Sequence, residues 1–110
     1  MTKVEFQKLL RQTKRHWEND ILKAPAKVFK DISPIRGSNC DVCKFFNNVC
    51  SECFLKELDD HCLSAVCDAN CVIEEYKFGR CSIRDVRKSC RIAYKAILQR
   101  FAQYRKDNFV

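Results

Sequence analysis

Residues 40–53, C-D-V-C-K-F-F-N-N-V-C-S-E-C, constrain this chain more than any other stretch: two C-x-x-C pairs six residues apart are followed by cysteines at 62, 67, 71, 81 and 90. Nine cysteines in 110 residues can staple a domain of this size, either as disulfides or as metal ligands. The compartment decides between the two, since secreted small proteins cross-link their cysteines and cytosolic ones keep them reduced. From Met1 to Leu10 there is no apolar run of signal-peptide type, and charges recur through Lys30. This points to an intracellular protein, cytoplasmic or nuclear, with reduced thiols. An odd cysteine count also fits disulfide pairing poorly, because one thiol is left over. No run approaches membrane-spanning length, so no membrane partner is expected.

Zinc prefers a tetrahedron of thiolates, and a C-x-x-C pair lets two sulfurs from one turn reach the ion together. The expected ligands are Cys40, Cys43, Cys50, Cys53, Cys62, Cys67, Cys71 and Cys81. They suffice for two zinc ions. The first four hold one ion, or share two with the second four. Cys67 and Cys71 are four apart, which places both sulfurs on one face of a helix. Cys90 falls instead on an apolar stripe and is expected as a buried core thiol. An iron–sulfur cluster uses the same ligand type but ranks behind zinc, because the closely spaced three-cysteine run of ferredoxins is absent. His61, beside Cys62, and His16, beside Trp17, are expected in solvent rather than on a metal.

The spacing Cys40-x2-Cys43-x6-Cys50 is similar to the first half of the fungal binuclear zinc cluster. Of the basic residues that resemblance implies inside the loop only Lys44 is present, and Cys53, Cys62 and Cys67 depart from the second half's spacing. The resemblance ends with that half-motif and carries no function over.

Helical signals flank the cysteines. Thr2 with Glu5 has the form of a capping box, and Phe6, Leu10, Thr13, Trp17 and Ile21 recur at steps of three and four, predicting a helix over about 3–22. Pro25, Pro34 and Gly37 break the pattern, leaving room for one helical turn around Val28, Phe29 and Ile32. Ser51 is placed to cap a short helix through Phe54, Leu55 and Leu58, and residues 72–78, V-I-E-E-Y-K-F, suit a strand or a helix until Gly79 ends them. Ser82 then caps the strongest pattern in the chain: Ile83, Val86, Cys90, Tyr94, Ile97, Phe101 and Tyr104, with no Gly or Pro before Val110.

The net charge of +7 is segregated. Residues 1–36 hold nine Lys/Arg against four Asp/Glu, 37–79 hold three against eight, and 80–110 hold nine against two. Some of the flanking cations can neutralise the acidic centre inside the fold. The rest favour an anionic partner. The polar side of the last helix carries Arg84, Arg87, Lys88, Arg91, Lys95, Arg100, Arg105 and Lys106, with Asp85 and Asp107 as its only acids. Cations at such spacings repel one another, so this face is not built for helix stability. The expected binding residues are Arg84, Arg87, Lys88, Arg91 and Lys95, joined by Lys14 and Arg15 of the first helix.

Enzymatic readings fare poorly. A cysteine nucleophile needs a histidine base and an orienting carboxylate, and neither histidine stands in such a context. No βαβ pattern surrounds either C-x-x-C pair, as a dithiol redox role requires. The sequence therefore predicts a single, mostly α domain with little or no β. It comprises a basic helix and connector (1–36), an acidic zinc-binding centre (37–81) and a basic helix (82–110). Its expected role is non-enzymatic: binding nucleic acid or regulating transcription through the basic helices. The alternative is a zinc-stabilised adaptor or inhibitor that docks on a partner protein, for instance on an acidic surface.

Overall fold

A computed structural model describes residues 1–31, 54–55 and 63–109, and among these the ordered elements are all helical. Helix α1 spans Lys3–Arg15. Its first turn leaves backbone N–H groups that the helix cannot satisfy internally, and the predicted capping box meets them. Glu5 N–H donates to Thr2 Oγ1 at 3.1 Å and Thr2 N–H donates to Glu5 Oε1 at 2.8 Å. Those bonds hold the Glu5 carboxyl below its ordinary pKa, so its contribution to stability is present above about pH 4 and is lost as pH falls through the lowered folded-state value.

The chain does not continue as one α-helix to residue 22. His16–Ile21 form a π-helical turn, closed by Leu22 N–H donating to Trp17 O at 2.8 Å. The physical reason lies in the spacing. Four-residue steps overshoot an α-helical turn by about 40° each, and the core positions Thr13, Trp17 and Ile21 are separated by two such steps. A wider turn keeps Trp17 and Ile21 on the buried side. Nearer the start the stripe runs through Phe6 and Leu9, both buried, while Leu10 is only partly covered.

The predicted turn in the connector is α2, Val28–Asp31, which buries Phe29 completely; Ile32 lies outside the described residues. Lys30 of α2 donates to Tyr76 O at 2.7 Å, and its ammonium sits 4.2 Å from the Tyr76 ring centroid. Phe54 and Leu55 form a turn rather than helix, and Ser51 and Leu58 lie outside the described residues.

Helix α3, Ser64–Lys77, settles the ambiguity of residues 72–78 in favour of helix as far as Lys77. It ends in a glycine-dependent stop: Gly79 takes φ +72, Gly79 N–H donates to Tyr76 O and Arg80 N–H to Glu75 O. This pair of bonds satisfies carbonyls that a helix C-terminus otherwise leaves bare. Helix α4, Ile83–Asn108, starts from a second capping box in which Ser82 and Asp85 are reciprocally bonded.

α3 and α4 make the most extensive close backbone approach of any helix pair, which fully buried Ala69 and Ala93 permit. α1 runs antiparallel to α4, with Phe6 against Phe101, Tyr104 and Phe109, and Trp17 stacked on Tyr94 at 5.9 Å. Large rings at this contact hold the two backbones farther apart. Val86, Cys90, Ala93, Ile97 and Phe101 form the inner stripe of α4, and they meet Val66, Ala69 and Ile73 of α3 in one core.

Candidate functional site

Of the predicted metal ligands, Cys67, Cys71 and Cys81 are described, while Cys40, Cys43, Cys50, Cys53 and Cys62, with His61, lie outside the described residues. Cys67 and Cys71 are one turn apart on α3 and both exposed. Cys81 is half-buried in the α3–α4 turn, its thiol donating to Val72 O at 3.4 Å. Burial raises its pKa, with the Asp85 and Glu75 carboxylates adding to the effect and Lys30 opposing it. To ligate a metal as thiolate, Cys81 has to give up the proton now shared with Val72. Among the described residues no three His, Cys, Asp or Glu side chains are grouped to hold an ion. A zinc site drawing on Cys67, Cys71 or Cys81 therefore needs ligands from the rest of the chain. Phe54 and Leu55 fix the residues next to Cys53 to the core: the Phe54 ring stands edge-on to Phe101 at 4.9 Å, and Leu55 is buried.

Cys90 is a core thiol, 1% exposed. Desolvation pushes its pKa up to about 11 against the weaker opposing pull of Arg87 and Arg91. A protonated, enclosed thiol is a poor nucleophile and a poor ligand. Alkylation of the folded protein near pH 8 is expected to leave Cys90 unmodified, with reaction appearing only in denaturant; mass mapping of the modified peptides checks this.

The cations of α4 separate into two groups. Arg84, Lys88, Arg91 and Lys95 are all exposed, and at 100° per residue they lie within about 60° of one another around the helix. Arg87 departs from the prediction: it is half-buried, and its guanidinium donates to Leu22 O at 3.4 Å, tying α4 to the end of the π turn. A long basic side chain is as useful for such bridging as for an outward surface. The acids of α4 are engaged. Asp85 accepts from Ser82 N–H and Oγ, both at 3.0 Å, and these bonds lower its pKa; Asp107 accepts from Gln103 at 2.9 Å. Lys88 also borders a groove of about 400 Å³ at the α3–α4 turn, together with Glu75, Cys81 and Asp85.

On α1, Lys14 and Arg15 are exposed as predicted, as are Lys8 and Arg11 on the same helix. Lys14 faces the seam with α4, and Arg15 is turned about 100° from it. His16 is half-buried, with Nδ1 3.1 Å from Asp20 Oδ2. Two cavities open along the seam. One, of about 320 Å³, is lined by Lys3, Phe6, Gln7, Arg105 and Phe109. The other, of about 170 Å³, lies between Leu10 and Lys14 on α1 and Leu98, Ala102 and Arg105 on α4. The Arg105 guanidinium rests 5.4 Å from the Phe6 ring centroid and borders both. Lys3 and Arg105 were not among the predicted binding residues; only the packing of α1 on α4 brings them together.

No protein-family model, curated protein or solved structure matches this chain. Function has to be read from the residues themselves. Among the described residues no helix is long and apolar enough to cross a membrane.

Proposed function

We propose that this is a non-enzymatic, zinc-binding protein whose basic helices bind nucleic acid through its phosphate backbone. The observation that supports this reading is the stripe of exposed cations Arg84, Lys88, Arg91 and Lys95 on one side of α4, with both acids of the helix engaged elsewhere. The stripe is about 16 Å long, the length of roughly five base-pair steps. Within α4 no aromatic ring is exposed, and the exposed Phe78 stands in the turn before it, so contacts to phosphate rather than base stacking carry the interaction. The zinc-binding centre serves as the staple; its Phe45 and Phe46 lie outside the described residues.

Fluorescence anisotropy with a labelled DNA duplex tests the reading. Four phosphate contacts predict a slope of about −3.6 in log affinity against log salt. The double variant Arg91→Glu/Lys95→Glu is expected to weaken binding by about tenfold or more and to flatten that slope by about two. Binding that ignores salt, or that the variant leaves unchanged, would sink the proposal. The seam between α1 and α4 favours a second reading, an adaptor docked on a partner protein, whose capture then survives nuclease treatment.

A further inference from the structure

We infer that the α1–α4 seam is a docking groove for an amphipathic helix of a partner protein, one that presents an apolar stripe flanked by carboxylates. The inference rests on the adaptor reading and goes beyond it by naming the groove and the chemistry of its occupant. Leu10 and Leu98 are half-exposed and Ala102 is exposed between them, so aliphatic surface is open along the seam. Beneath it Phe6 and Phe101 are each 1% exposed. Phe6 is stacked on Tyr104 with Arg105 over its ring, and Phe101 is taken by Phe6 and by Phe54 edge-on, which leaves aliphatic side chains, not stacked bases, as the complementary ligand.

The rim sets the charge. Lys3, Lys14 and Arg105 border the two cavities, and among the described residues no carboxylate lines either one. None of the three cations forms an ion pair with another described residue. Lys3 and Lys14 are about 16 Å apart along α1, and Arg105 faces them from α4, so the cations run along both sides of the apolar strip. Beyond Lys14 the stretch closes at Glu18, whose carboxylate adds to burial in raising the Tyr94 pKa. An occupant of about three helical turns with Leu-type residues at i, i+4 and i+7 fills such a groove, and its flanking carboxylates meet the rim. Opposite charges placed around an apolar contact fix orientation and exclude cationic competitors.

The probe is a fluorescein-labelled 14-residue peptide carrying leucine at helical a/d spacing and glutamate elsewhere, with a matched peptide in which serine replaces leucine. Anisotropy is read on the full zinc-loaded chain. Saturable binding of the leucine peptide is expected, weakened about tenfold or more by Ala102→Glu and by Lys14→Glu/Arg105→Glu, and by the leucine-to-serine change. These side chains are exposed, and matching thermal melts separate lost docking from lost folding. Arg84→Glu/Lys88→Glu, which removes cations of the proposed nucleic-acid stripe ten or more residues and so about 15 Å or more along α4 from Leu98, is expected to leave peptide binding within about twofold. Equal binding of the serine peptide, or binding that the seam variants leave intact, overturns the groove while sparing the adaptor reading. Absence of binding to either peptide overturns it as well.

Discussion

Phe101→Ala is expected to cost about 3–5 kcal/mol of stability, which for a domain of ordinary stability, about 5–15 kcal/mol, approaches a threshold for folding. The ring is 1% exposed and belongs to three parts of the fold together. It lies on α4, meets Phe6 of α1 at 5.6 Å and takes Phe54 edge-on at 4.9 Å. Truncation leaves a cavity whose walls are two other rings, and rings cannot collapse into a gap as flexible aliphatic chains do. Phe78→Ala is the natural contrast, because Phe78 is 70% exposed and its described contact is Arg80 over its ring at 5.4 Å. A change within about 0.5 kcal/mol is expected there. Denaturant unfolding followed by circular dichroism measures both. Equal midpoints for the two variants would mean that α1 does not pack on α4 through Phe101.

Much of this architecture was legible in local chemistry. Thr2 with Glu5, and Ser82, announced helix starts because their side chains can accept the N–H groups that a helix begins by leaving bare, and Val86, Cys90, Ile97 and Phe101 were found on the inner stripe of α4 as expected. Ala93 was missed, though fully buried, because alanine adds little to a hydrophobic pattern and matters through the close approach it permits. The V-I-E-E-Y-K-F run was ambiguous because β-branched and aromatic residues suit strands. Burial of Val66, Ala69 and Ile73 against α4 decided it, a tertiary effect that propensity does not contain.

The binding surface was read less completely, for the same physical reason. Exposed cations are visible in sequence, but their partners are not. Arg87 looked like its neighbours until its guanidinium was found on Leu22 O, and Lys3 belongs beside Arg105 only because Phe6 packs on Tyr104 and Phe109. Helix α4 thus has two chemically different stretches that follow one another along its axis. From Arg84 to Lys95 it carries a row of exposed cations, and from Leu98 to Arg105 it joins a cation to the half-covered leucines of the seam. A phosphate backbone suits the first because it needs charge at regular intervals and no apolar contact. The second suits a ligand that brings its own apolar surface. Variants at Arg84 and Lys88, against variants at Ala102 and Arg105, therefore separate the two proposed binding functions.

Removal of zinc is expected to have the largest effect of all. A structural thiolate site contributes about 10 kcal/mol or more of apparent binding energy, and that energy is available only to the folded chain. Under the proposed zinc reading, the coupling to the helices is expected to run through the residues beside the cysteines. Leu55 is two positions from Cys53, Leu63 directly follows Cys62, and both leucines are buried in the common core with Phe29, Ile73 and Phe101. On the proposed zinc reading, loss of the ions removes the anchors beside these leucines, and the core is expected to loosen where α3 begins and where Phe54 meets α4. Tag-free protein is expected to contain about two zinc ions per chain by elemental analysis. A strong chelator is then expected to abolish the cooperative thermal transition seen by circular dichroism and to shift Trp17 emission to the red, since Trp17 is 3% exposed in the folded chain. Cys71→Ser should lower the zinc content toward one per chain, whereas Cys90→Ser should keep both ions, because Cys90 lies in the apolar core. Protein that purifies without metal and with oxidised thiols would overturn the zinc assignment and the reduced compartment together, and would leave the aromatic contacts of α1 and α4 as the principal support of the fold.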